Sequence, residues 1–330
     1  MSKILITGGA GFIGFHLAKA LVARGDNVDL LDNFSRAVAD PDFEALIASE
    51  NIRVLDKDLL AADVFDDMDR DYDYIYHFAA IIGVTHVMNR PYDVLADNVE
   101  MTDIMLDYAG EQSALKRFLF TSTSEIYAGT LKHFDLPIPT PESTPLGLTA
   151  LEHPRTSYML SKIYGEALCL HSKVPVTILR PHNVYGPRMG MAHVVPELLK
   201  KAYNLEDGAS MEVFSVDHKR AFCYIDDAVE MIVASCESDK CENMALNLGN
   251  QAAEVSMGEV ANVVVDVVGK KLSLDEQPAQ AGSPARRCPD MSLMTELTGV
   301  TASIDLRDGI SKTFDWYKEN VFDGHGVTAK

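Results

Sequence analysis

Tyr158 and Lys162 have the residue types and the spacing that proton transfer requires. They lie four residues apart within 157–171, a stretch with the pattern of a helix, so their side chains share one helix face. A tyrosine that acts as a base near neutral pH needs its pKa moved from about 10 to about 7, which requires roughly 4 kcal/mol. One cation about 4 Å away supplies about that much at an effective dielectric near 20. The spacing is also common by chance, and taken alone a surface Tyr–Lys pair is the simpler interpretation.

A second group of polar side chains precedes this helix. Thr123, Ser124 and Glu125 follow the apolar stretch 117–120, which we predict to be a strand. Ligands of a parallel sheet bind at the carboxyl ends of its strands, so the Thr123 hydroxyl is placed to hold a substrate oxygen and its proton. The alternative is a hydroxyl-rich loop with Glu125 in solvent.

The first loop of the chain has the residues of a pyrophosphate site. Gly8, Gly11 and Gly14 lie between an apolar stretch, 4–6, and a helix-like stretch, 15–23. Glycines let the backbone approach a ligand closely, and the first N–H groups of the following helix point at its phosphates. This strand–loop–helix context separates the glycine pattern from an ordinary turn and predicts a bound dinucleotide.

An acid that follows favours NAD as the dinucleotide. Asp32 ends the predicted strand 28–31, about 20 residues after the glycines, where a carboxylate can accept both hydrogen bonds of an adenosine ribose diol. A 2′-phosphate would be repelled there, so NAD is preferred over NADP, although Arg36 softens that preference. The alternative for Asp32 is a strand-end turn with Asn33.

A parallel sheet is needed to bring these residues together. Up to Arg180 predicted strands alternate with predicted helices, which indicates an α/β fold with a Rossmann-type doubly wound parallel sheet. We predict an NAD-binding domain over 1–180, rejoined by 221–248, and a smaller mixed α/β lobe for the substrate over 181–330. The predicted strands are 4–6, 28–31, 52–55, 74–78, 117–120, 176–179 and 245–248, and the predicted helices are 15–23, 101–108, 157–171, 194–202, 226–235, 257–268 and 306–319.

Composition excludes several classes of protein. The chain has 330 residues, of which 47% are hydrophobic and 24% charged, as in a globular protein. Its net charge of −20 argues against nucleic acid or an anionic membrane as a partner. The five cysteines form no C-x-x-C pair and the histidines lack ligand-like spacing, so we expect idle thiols in a reducing cytoplasm and no metal. We also expect no membrane span and no signal peptide.

The chain resembles the extended short-chain dehydrogenase/reductases that modify nucleotide sugars, the NAD-dependent epimerase/dehydratase family. The similarity follows the order of the family's motifs over nearly the whole chain. The stretches that carry it are residues 7–14, 32–34, 58–59, 77–80, 121–127, 158–162, 180–187, 220–227, 247–250 and 286–290.

The resemblance implies a role for each matched residue. Tyr158 would take the proton of a sugar hydroxyl, usually at C4, while NAD accepts the hydride. Lys162 would lower the pKa of the tyrosine and hold the nicotinamide ribose, and Thr123 would hydrogen-bond the reacting oxygen. The implied catalytic residues are Thr123, Ser124, Glu125, Tyr158 and Lys162, and the implied cofactor residues are Gly8, Gly11, Phe12, Ile13, Gly14, Asp32, Asn33, Asp58, Leu59, Ala79, Tyr158 and Lys162.

The same resemblance implies the substrate and a partner. Asn183 would contact a nucleotide-diphosphate sugar, and Arg220 and Arg287 would bind its diphosphate, because a guanidinium fork suits phosphate oxygens. The alternative for each arginine is a surface ion pair. Family dimers pair the helix before the Thr123 strand with the helix that carries Tyr158, so a homodimer is implied.

The residues after Thr123 bear on the reaction. Thr-Ser-Glu at 123–125 is similar to UDP-glucuronate decarboxylases and to GDP-mannose 4,6-dehydratases, and it lacks the aspartate of dTDP-glucose-type 4,6-dehydratases. The stretch 190–195 is shorter than its decarboxylase counterpart, which leaves base and sugar open. We predict an NAD-dependent enzyme that oxidises a nucleotide-sugar hydroxyl, followed by decarboxylation, dehydration or epimerisation. The alternatives are a net C4-dehydrogenase and, without catalysis, an NAD-binding scaffold or regulator.

Overall fold

A computed structural model describes residues 1–36, 40–279 and 284–324. The strands of these residues are β1 (Lys3–Thr7), β2 (Asn27–Asp32), β3 (Ile52–Asp56), β4 (Tyr74–His77), β5 (Arg117–Thr121), β6 (Val176–Pro181), β7 (Val184–Tyr185), β8 (Ser210–Phe214), β9 (Lys219–Ala221), β10 (Cys223–Tyr224), β11 (Met244–Leu248), β12 (Glu254–Ser256), β13 (Ser273–Gln277) and β14 (Arg286–Arg287). The α-helices are α1 (Phe12–Ala23), α2 (Pro41–Ile47), α3 (Val84–Asn89), α4 (Pro91–Gly110), α5 (Ala128–His133), α6 (Arg155–His171), α7 (Val194–Asn204), α8 (Ile225–Glu237), α9 (Met257–Val268), α10 (Ser292–Thr298) and α11 (Leu306–Tyr317).

Seven strands form one parallel sheet in the order β11-β6-β5-β4-β1-β2-β3. The order reverses direction between β1 and β4, which is the switch point where ligands of an open α/β sheet bind. Thr7 of β1 pairs with His77 of β4, and Thr121 of β5 pairs with Leu179 of β6. The carboxyl ends of these strands therefore meet at one edge. The predicted Rossmann-type α/β fold is confirmed.

Helices cover both faces of this sheet because successive side chains of a strand point to opposite sides. Ile4 and Ile6 of β1 belong to one buried cluster, which includes residues of α1 and α8. Leu5 belongs to the other, which includes Met101 and Met105 of α4 and residues of α6. The sheet is thus buried on both sides, and only its edges and strand ends remain open to ligands.

α4 is longer than the predicted helix 101–108. It begins at Pro91, in the first helical turn, where the missing N–H of proline costs nothing. Its first half carries the buried Asn98, whose side chain accepts from the Ile81 backbone nitrogen at 2.7 Å and donates to the Ile81 carbonyl at 3.1 Å. This inward polar residue interrupts the apolar periodicity, which is why the pattern indicated only the second half.

The C-terminal half contains small sheets and packed helices. β9 lies between β12 and β14, β8 pairs with β13, and β7 pairs with β10. α9 packs against α7 and α11, while β11 returns to the large sheet beside β6. β9 and β14 are too short to show a period and were not predicted. β8 was missed as well, although its buried and exposed residues alternate. The division into an NAD domain and a substrate lobe stays an interpretation. In the described part of the chain, no helix combines the length and apolarity that crossing a membrane needs.

Candidate active site

The glycine loop between β1 and α1 forms a cradle of backbone. Gly8 has a φ of +70°, and a Cβ there would lie 2.7 Å from the backbone nitrogen of Ala79. A Cβ at Gly14 would lie 2.4 Å from the Gly8 carbonyl oxygen, so neither position tolerates a side chain. α1 begins at Phe12 with Gly11 as its N-cap, and no side chain caps it. Its first N–H groups are therefore available to a phosphate.

Asp32 lies beside this cradle at the end of β2. Its carboxylate accepts hydrogen bonds from the backbone nitrogens of Ala10, at 3.0 Å, and Phe34, at 2.8 Å. Burial raises the pKa of Asp32, and these two hydrogen bonds lower it. Asn33 donates to the Asp58 carboxylate at 3.1 Å. Three predicted cofactor residues are thus brought to the strand ends next to the glycine loop.

The other predicted cofactor residues differ in what their side chains do. Phe12 and Ile13 are half-buried at the start of α1 and pack against the core on that face. Ala79 lies directly under Gly8 and its backbone nitrogen donates to the Thr7 hydroxyl at 3.4 Å. Leu59 is buried in the core cluster of the opposite face, so its side chain is committed to packing and only its backbone is left for a cofactor.

Tyr158 and Lys162 both lie on α6. The Lys162 ammonium donates to the Thr121 carbonyl oxygen at 2.8 Å and lies 6.0 Å from the centre of the Tyr158 ring. Burial lowers the pKa of Lys162 to about 8. The lysine is therefore held at the end of β5, between the sheet and the tyrosine.

The charges around Tyr158 differ from the simple Tyr–Lys pair of the sequence argument. Burial and the Glu125 carboxylate raise the pKa of Tyr158, while a hydrogen bond with Thr123 and the charge of Arg36 lower it. The raising effects are larger, so the pKa of Tyr158 lies above its ordinary value. The Lys162 ammonium lies 6.0 Å from the centre of the phenol ring and donates to a backbone carbonyl, not to the phenol oxygen. The predicted role of Thr123 at the reacting oxygen fits its hydrogen bond to the phenol.

Glu125 lies opposite the two predicted diphosphate arginines. The Glu125 carboxylate is 3.6 Å from the Arg287 guanidinium. Arg287 of β14 is in register with Arg220 of β9, so both side chains project from adjacent positions of one small sheet. Arg220 donates to the carbonyls of Lys219 and Pro284, and burial together with the Arg287 charge lowers the pKa of Arg220 to about 10. Two neighbouring guanidinium groups of like charge favour an anionic ligand.

Asn183 joins the sheet end to the strand that carries Arg220. It follows β6 with a φ of +41°, and its side-chain nitrogen donates to the Ala221 carbonyl at 3.1 Å. Its own carbonyl accepts from the backbone nitrogen of Cys223 at 3.2 Å. Asn183 therefore positions the Arg220 segment, and its predicted contact with the substrate stays a prediction.

Sequence reasoning missed two features of the site. The hydroxyls of Thr121 and Ser122 are buried at the end of β5 and have no hydrogen-bond partner among the described residues. Glu166 forms a bidentate ion pair with Arg180, at 2.9 and 2.7 Å. Glu166 is one helical turn beyond Lys162, a spacing that could have indicated a third functional position on the same face of α6.

The residues present fit NAD. The backbone cradle accepts a pyrophosphate, Asp32 is placed for a ribose diol, and Lys162 with the unpaired Thr121 and Ser122 hydroxyls offers donors at the nicotinamide end. Within 1–36, 40–279 and 284–324, no group of three or more His, Cys, Asp or Glu side chains is arranged to hold a metal ion.

The chain belongs to the NAD dependent epimerase/dehydratase family, whose sequence model matches residues 4–249. It is 30% identical to the UDP-N-acetyl-alpha-D-glucosaminuronate decarboxylase of Bacillus cytotoxicus, over 96% of this chain and 98% of that protein. It is also 30% identical to UDP-glucuronic acid decarboxylase 1 of Arabidopsis thaliana, over 97% of this chain and 70% of that protein.

The solved structures point to the same family. UDP-glucuronic acid 4-epimerase from Bacillus cereus, in complex with UDP-glucuronic acid and NAD, matches with a TM-score of 0.78 at 25% identity, over 96% of this chain and 99% of that chain. The predicted family, the enzyme class and NAD as the cofactor are therefore confirmed. The chain is an NAD-dependent enzyme of the epimerase, dehydratase and decarboxylase type, and the roles of its individual residues stay predictions.

Proposed function

We propose that this enzyme oxidises C4 of a nucleotide-diphosphate hexuronate and then removes the C6 carboxylate as CO₂. The observation that carries the proposal is the contact of Glu125 with Arg287 at 3.6 Å, close enough to Tyr158 for the Glu125 charge to act on the phenol. Rotation and re-reduction of a C4 ketone need no further acid or base. Decarboxylation needs a cation for the carboxylate and an acid for the carbon that loses it, and these two residues supply both.

The first step uses the residues at the end of β5 and on α6. NAD, when bound, accepts a hydride from the sugar carbon and can return it. Tyr158 takes the proton of the C4 hydroxyl, and Thr123 hydrogen-bonds the same oxygen. Lys162 supplies positive charge beside the phenol and is held there by the Thr121 carbonyl. The result is a ketone at C4, which makes the sugar a β-keto acid when C6 is a carboxylate.

The second step uses the Glu125–Arg287 pair. Arg287, which the resemblance assigned to the diphosphate together with Arg220, has a different role in this proposal and orients the sugar carboxylate next to the ketone. The C5–C6 bond breaks, CO₂ leaves, and its electron pair forms the C4–C5 enolate. When the sugar carboxylate replaces Glu125 at Arg287, Glu125, which is 38% exposed, takes up a proton from water. It delivers that proton to C5, which restores the ketone and returns Glu125 to the carboxylate form. Arg220 binds the diphosphate, because it lies in register with Arg287 on the adjacent strand and an anionic ligand relieves the repulsion between the two guanidinium groups. The lowered pKa of Arg220 agrees with that repulsion.

The names of the relatives support this substrate class. Two curated relatives that align over nearly the whole chain are decarboxylases of nucleotide-linked uronates. A structural neighbour bound to UDP-glucuronic acid is a 4-epimerase, which makes C4 epimerisation of a uronate the second candidate. We therefore expect UDP as the nucleotide and a carboxylate at C6, and the reaction products decide between the two outcomes.

Product analysis tests the proposal. The purified enzyme with NAD is incubated with UDP-glucuronate and UDP-N-acetylglucosaminuronate, and with UDP-glucose and UDP-N-acetylglucosamine as matched sugars that lack the carboxylate. Mass spectrometry then reads the loss of CO₂ from a uronate. We expect that loss with at least one uronate and none with the neutral sugars. An unchanged mass with an inverted C4 by NMR would replace decarboxylation by epimerisation, and no turnover or NADH absorbance with any sugar would favour a non-catalytic scaffold.

We further propose a homodimer formed by α4 and α6. The supporting observation is a groove between these helices that is lined by apolar side chains and by charged ones such as Asp103 and Asp107, with Tyr164 51% exposed. Light scattering of the full chain should give twice the monomer mass, and Tyr164→Glu, at the exposed aromatic residue of the groove, should reduce it. Phe214→Glu, at an exposed apolar residue on β8, is the matched control and should leave the mass unchanged. A monomeric wild-type chain would refute the dimer.

We propose the cytoplasm as the compartment. All five cysteines are free and buried, as in a protein that folds under reducing conditions. Fractionation of cells that express the chain with its own termini tests this, and recovery outside the cytoplasm would overturn it.

A further inference from the structure

A buried hydrogen-bond network lies behind the Glu125–Arg287 pair. Tyr127 is two residues beyond Glu125, in the 3-10 turn 124–127 that follows β5. Asp290 is three residues beyond Arg287. Asn247 of β11 connects the two: its side chain accepts from the Tyr127 hydroxyl at 3.1 Å and donates to the Asp290 carbonyl at 3.1 Å. The ion pair and this connection close a ring around the two segments.

The Tyr127 hydroxyl has both of its roles fixed. It accepts from the Arg180 guanidinium at 2.8 Å and donates to the Asn247 side-chain oxygen. Arg180 is in turn held by Glu166 in a bidentate pair, with both side chains buried. Glu166 is four residues beyond Lys162 on α6. The hydroxyl therefore connects the helix of the proton-transfer residues to the turn that carries Glu125.

Asn247 uses its whole side chain in the network. Its nitrogen donates to the Thr140 and Asp290 carbonyls, and its oxygen also lies 3.2 Å from the His182 ring nitrogen Nε2. Since an amide oxygen only accepts, His182 must carry its proton on Nε2. Asn247 is fully buried, so each of these bonds replaces one to water.

Thr140 fastens the same segment from the other side. Its backbone nitrogen donates to the Cys288 carbonyl at 2.9 Å, and its carbonyl accepts from the Asp290 nitrogen at 2.9 Å. The three residues after Arg287 are thus fixed by backbone bonds to Thr140 and by the Asn247 amide. β14 holds Arg287 from its other end through β9.

We propose that Tyr127 and Asn247 are positioning residues. They hold Glu125 and Arg287 at a fixed distance from each other. They also fix the position of that pair relative to the proton-transfer residues Tyr158 and Lys162. Neither residue touches the reacting atoms. They act through the segments that carry the four functional side chains, which come from three distant parts of the chain. The kinetic consequence rests on the proposed function, since it assumes that Glu125 and Arg287 act after the oxidation step.

The test removes one hydroxyl and uses a matched tyrosine as the control. Tyr127→Phe removes the hydroxyl that connects Arg180 to Asn247 and keeps the aromatic side chain in place. Tyr108→Phe, on α4 and away from the site, also removes a buried hydroxyl, which donates to the Asp69 carbonyl before β4. We expect Tyr127→Phe to lower kcat about tenfold at unchanged NAD affinity, and Tyr108→Phe to lower only the melting temperature. Equal kcat values for the two variants would overturn the proposal.

A double-mutant cycle with Arg287→Gln separates positioning from general stability. If Tyr127 acts through Arg287, adding Tyr127→Phe to Arg287→Gln should change kcat less than about twofold. Effects that multiply would show that Tyr127 acts independently and would refute the proposal.

A crystal structure of Tyr127→Phe gives a readout that does not depend on the substrate. We expect the Glu125–Arg287 contact to lengthen or to become disordered, and an unchanged contact would refute positioning. Because this measurement needs no turnover, a failure of the decarboxylase proposal in product analysis stays distinct from a failure here.

Discussion

The cofactor side and the substrate side of the site differ in how their polar groups are satisfied. On the cofactor side, the Asp32 carboxylate accepts two backbone N–H groups, and Asn33 is bonded to Asp58. These residues all lie within the first 60 residues of the chain, on neighbouring strands and loops. On the substrate side, Arg220 and Arg287 are neighbours of like charge, with Glu125 3.6 Å from the second of them.

This difference teaches what each side requires of its ligand. The cofactor side is preorganised, because its carboxylate is already held in place by hydrogen bonds from two backbone N–H groups. The substrate side brings positive charges together against their repulsion, so an anionic ligand gains affinity by relieving it. We therefore expect the enzyme to bind its cofactor mainly through preformed backbone geometry and its substrate mainly through charge, so variants on the two sides should have separable effects.

The largest loss of activity is expected from a substitution of Tyr158, which lies where the cofactor side and the substrate side of the site meet. Tyr158→Phe removes the hydroxyl that we propose takes the sugar proton and should lower kcat about a thousandfold or more. NAD affinity, measured by calorimetry, should change little because the ring remains. Tyr203→Phe, which removes a hydroxyl bonded to Asp323 on the far lobe, is the control. Substantial turnover by Tyr158→Phe would refute the proposed base.

The next largest effect tests the substrate side. Arg287→Gln removes a charged partner of the sugar and should lower kcat/KM for the nucleotide sugar about 100-fold, as expected for the loss of a charge-assisted hydrogen bond. The affinity for NAD should be unchanged. Steady-state kinetics with calorimetry for NAD measures both. An equal loss of NAD affinity would remove the distinction between the two sides.

A smaller effect is expected from the mirror variant on the cofactor side. Asp32→Asn keeps the shape of the side chain and one acceptor oxygen but loses the negative charge. It should weaken NAD binding about tenfold and reduce the preference of the enzyme for NAD over NADP. KM for the sugar at saturating NAD should stay the same. Fluorescence titration with NADH and NADPH measures the two dissociation constants. An unaltered ratio of these constants would show that Asp32 does not contact the adenosine ribose.

The smallest effect concerns stability and its pH dependence at Lys162. Burial lowers the pKa of Lys162 from 10.5 to about 8, so the unfolded chain binds more protons between those pH values and stability rises with pH across them. The cost at pH 7 is about 3 kcal/mol, partly offset by the bond to Thr121. Lys162→Met should therefore melt a few degrees higher at pH 7 while losing activity, and the advantage should shrink towards pH 10.

A difference in melting temperature between Lys162→Met and the wild type that stays constant with pH would contradict this last prediction. Differential scanning fluorimetry of both proteins from pH 7 to pH 10 gives the comparison. Lys201→Met is the matched control, because Lys201 is a partly exposed lysine paired with Glu197 and should show no such trend.

The strands of the large sheet could be predicted nearly to their ends, because each is a short apolar stretch bounded by turn residues. β1, β5 and β6 extend by only one or two residues beyond the predicted bounds. The first half of α4 could not be predicted from hydrophobic periodicity, because the inward-facing residue Asn98 is polar and accepts a hydrogen bond from the Ile81 backbone nitrogen. β9 and β14 are three and two residues long, too short for any period to show.

The sequence by itself determined the family and the cofactor, and it predicted the residues of the cofactor site and of the proton-transfer helix. A glycine loop between strand and helix, an acid after the next strand, and Tyr158 four residues before Lys162 are local spacings, and local spacing fixes which groups share a strand end or a helix face. Tertiary structure alone decided that Lys162 donates to the Thr121 carbonyl and that Glu125 faces Arg287. These contacts join segments far apart in the chain, and their geometry depends on how β14 pairs with β9 and how buried polar groups such as Tyr127 and Asn247 find partners when water is excluded.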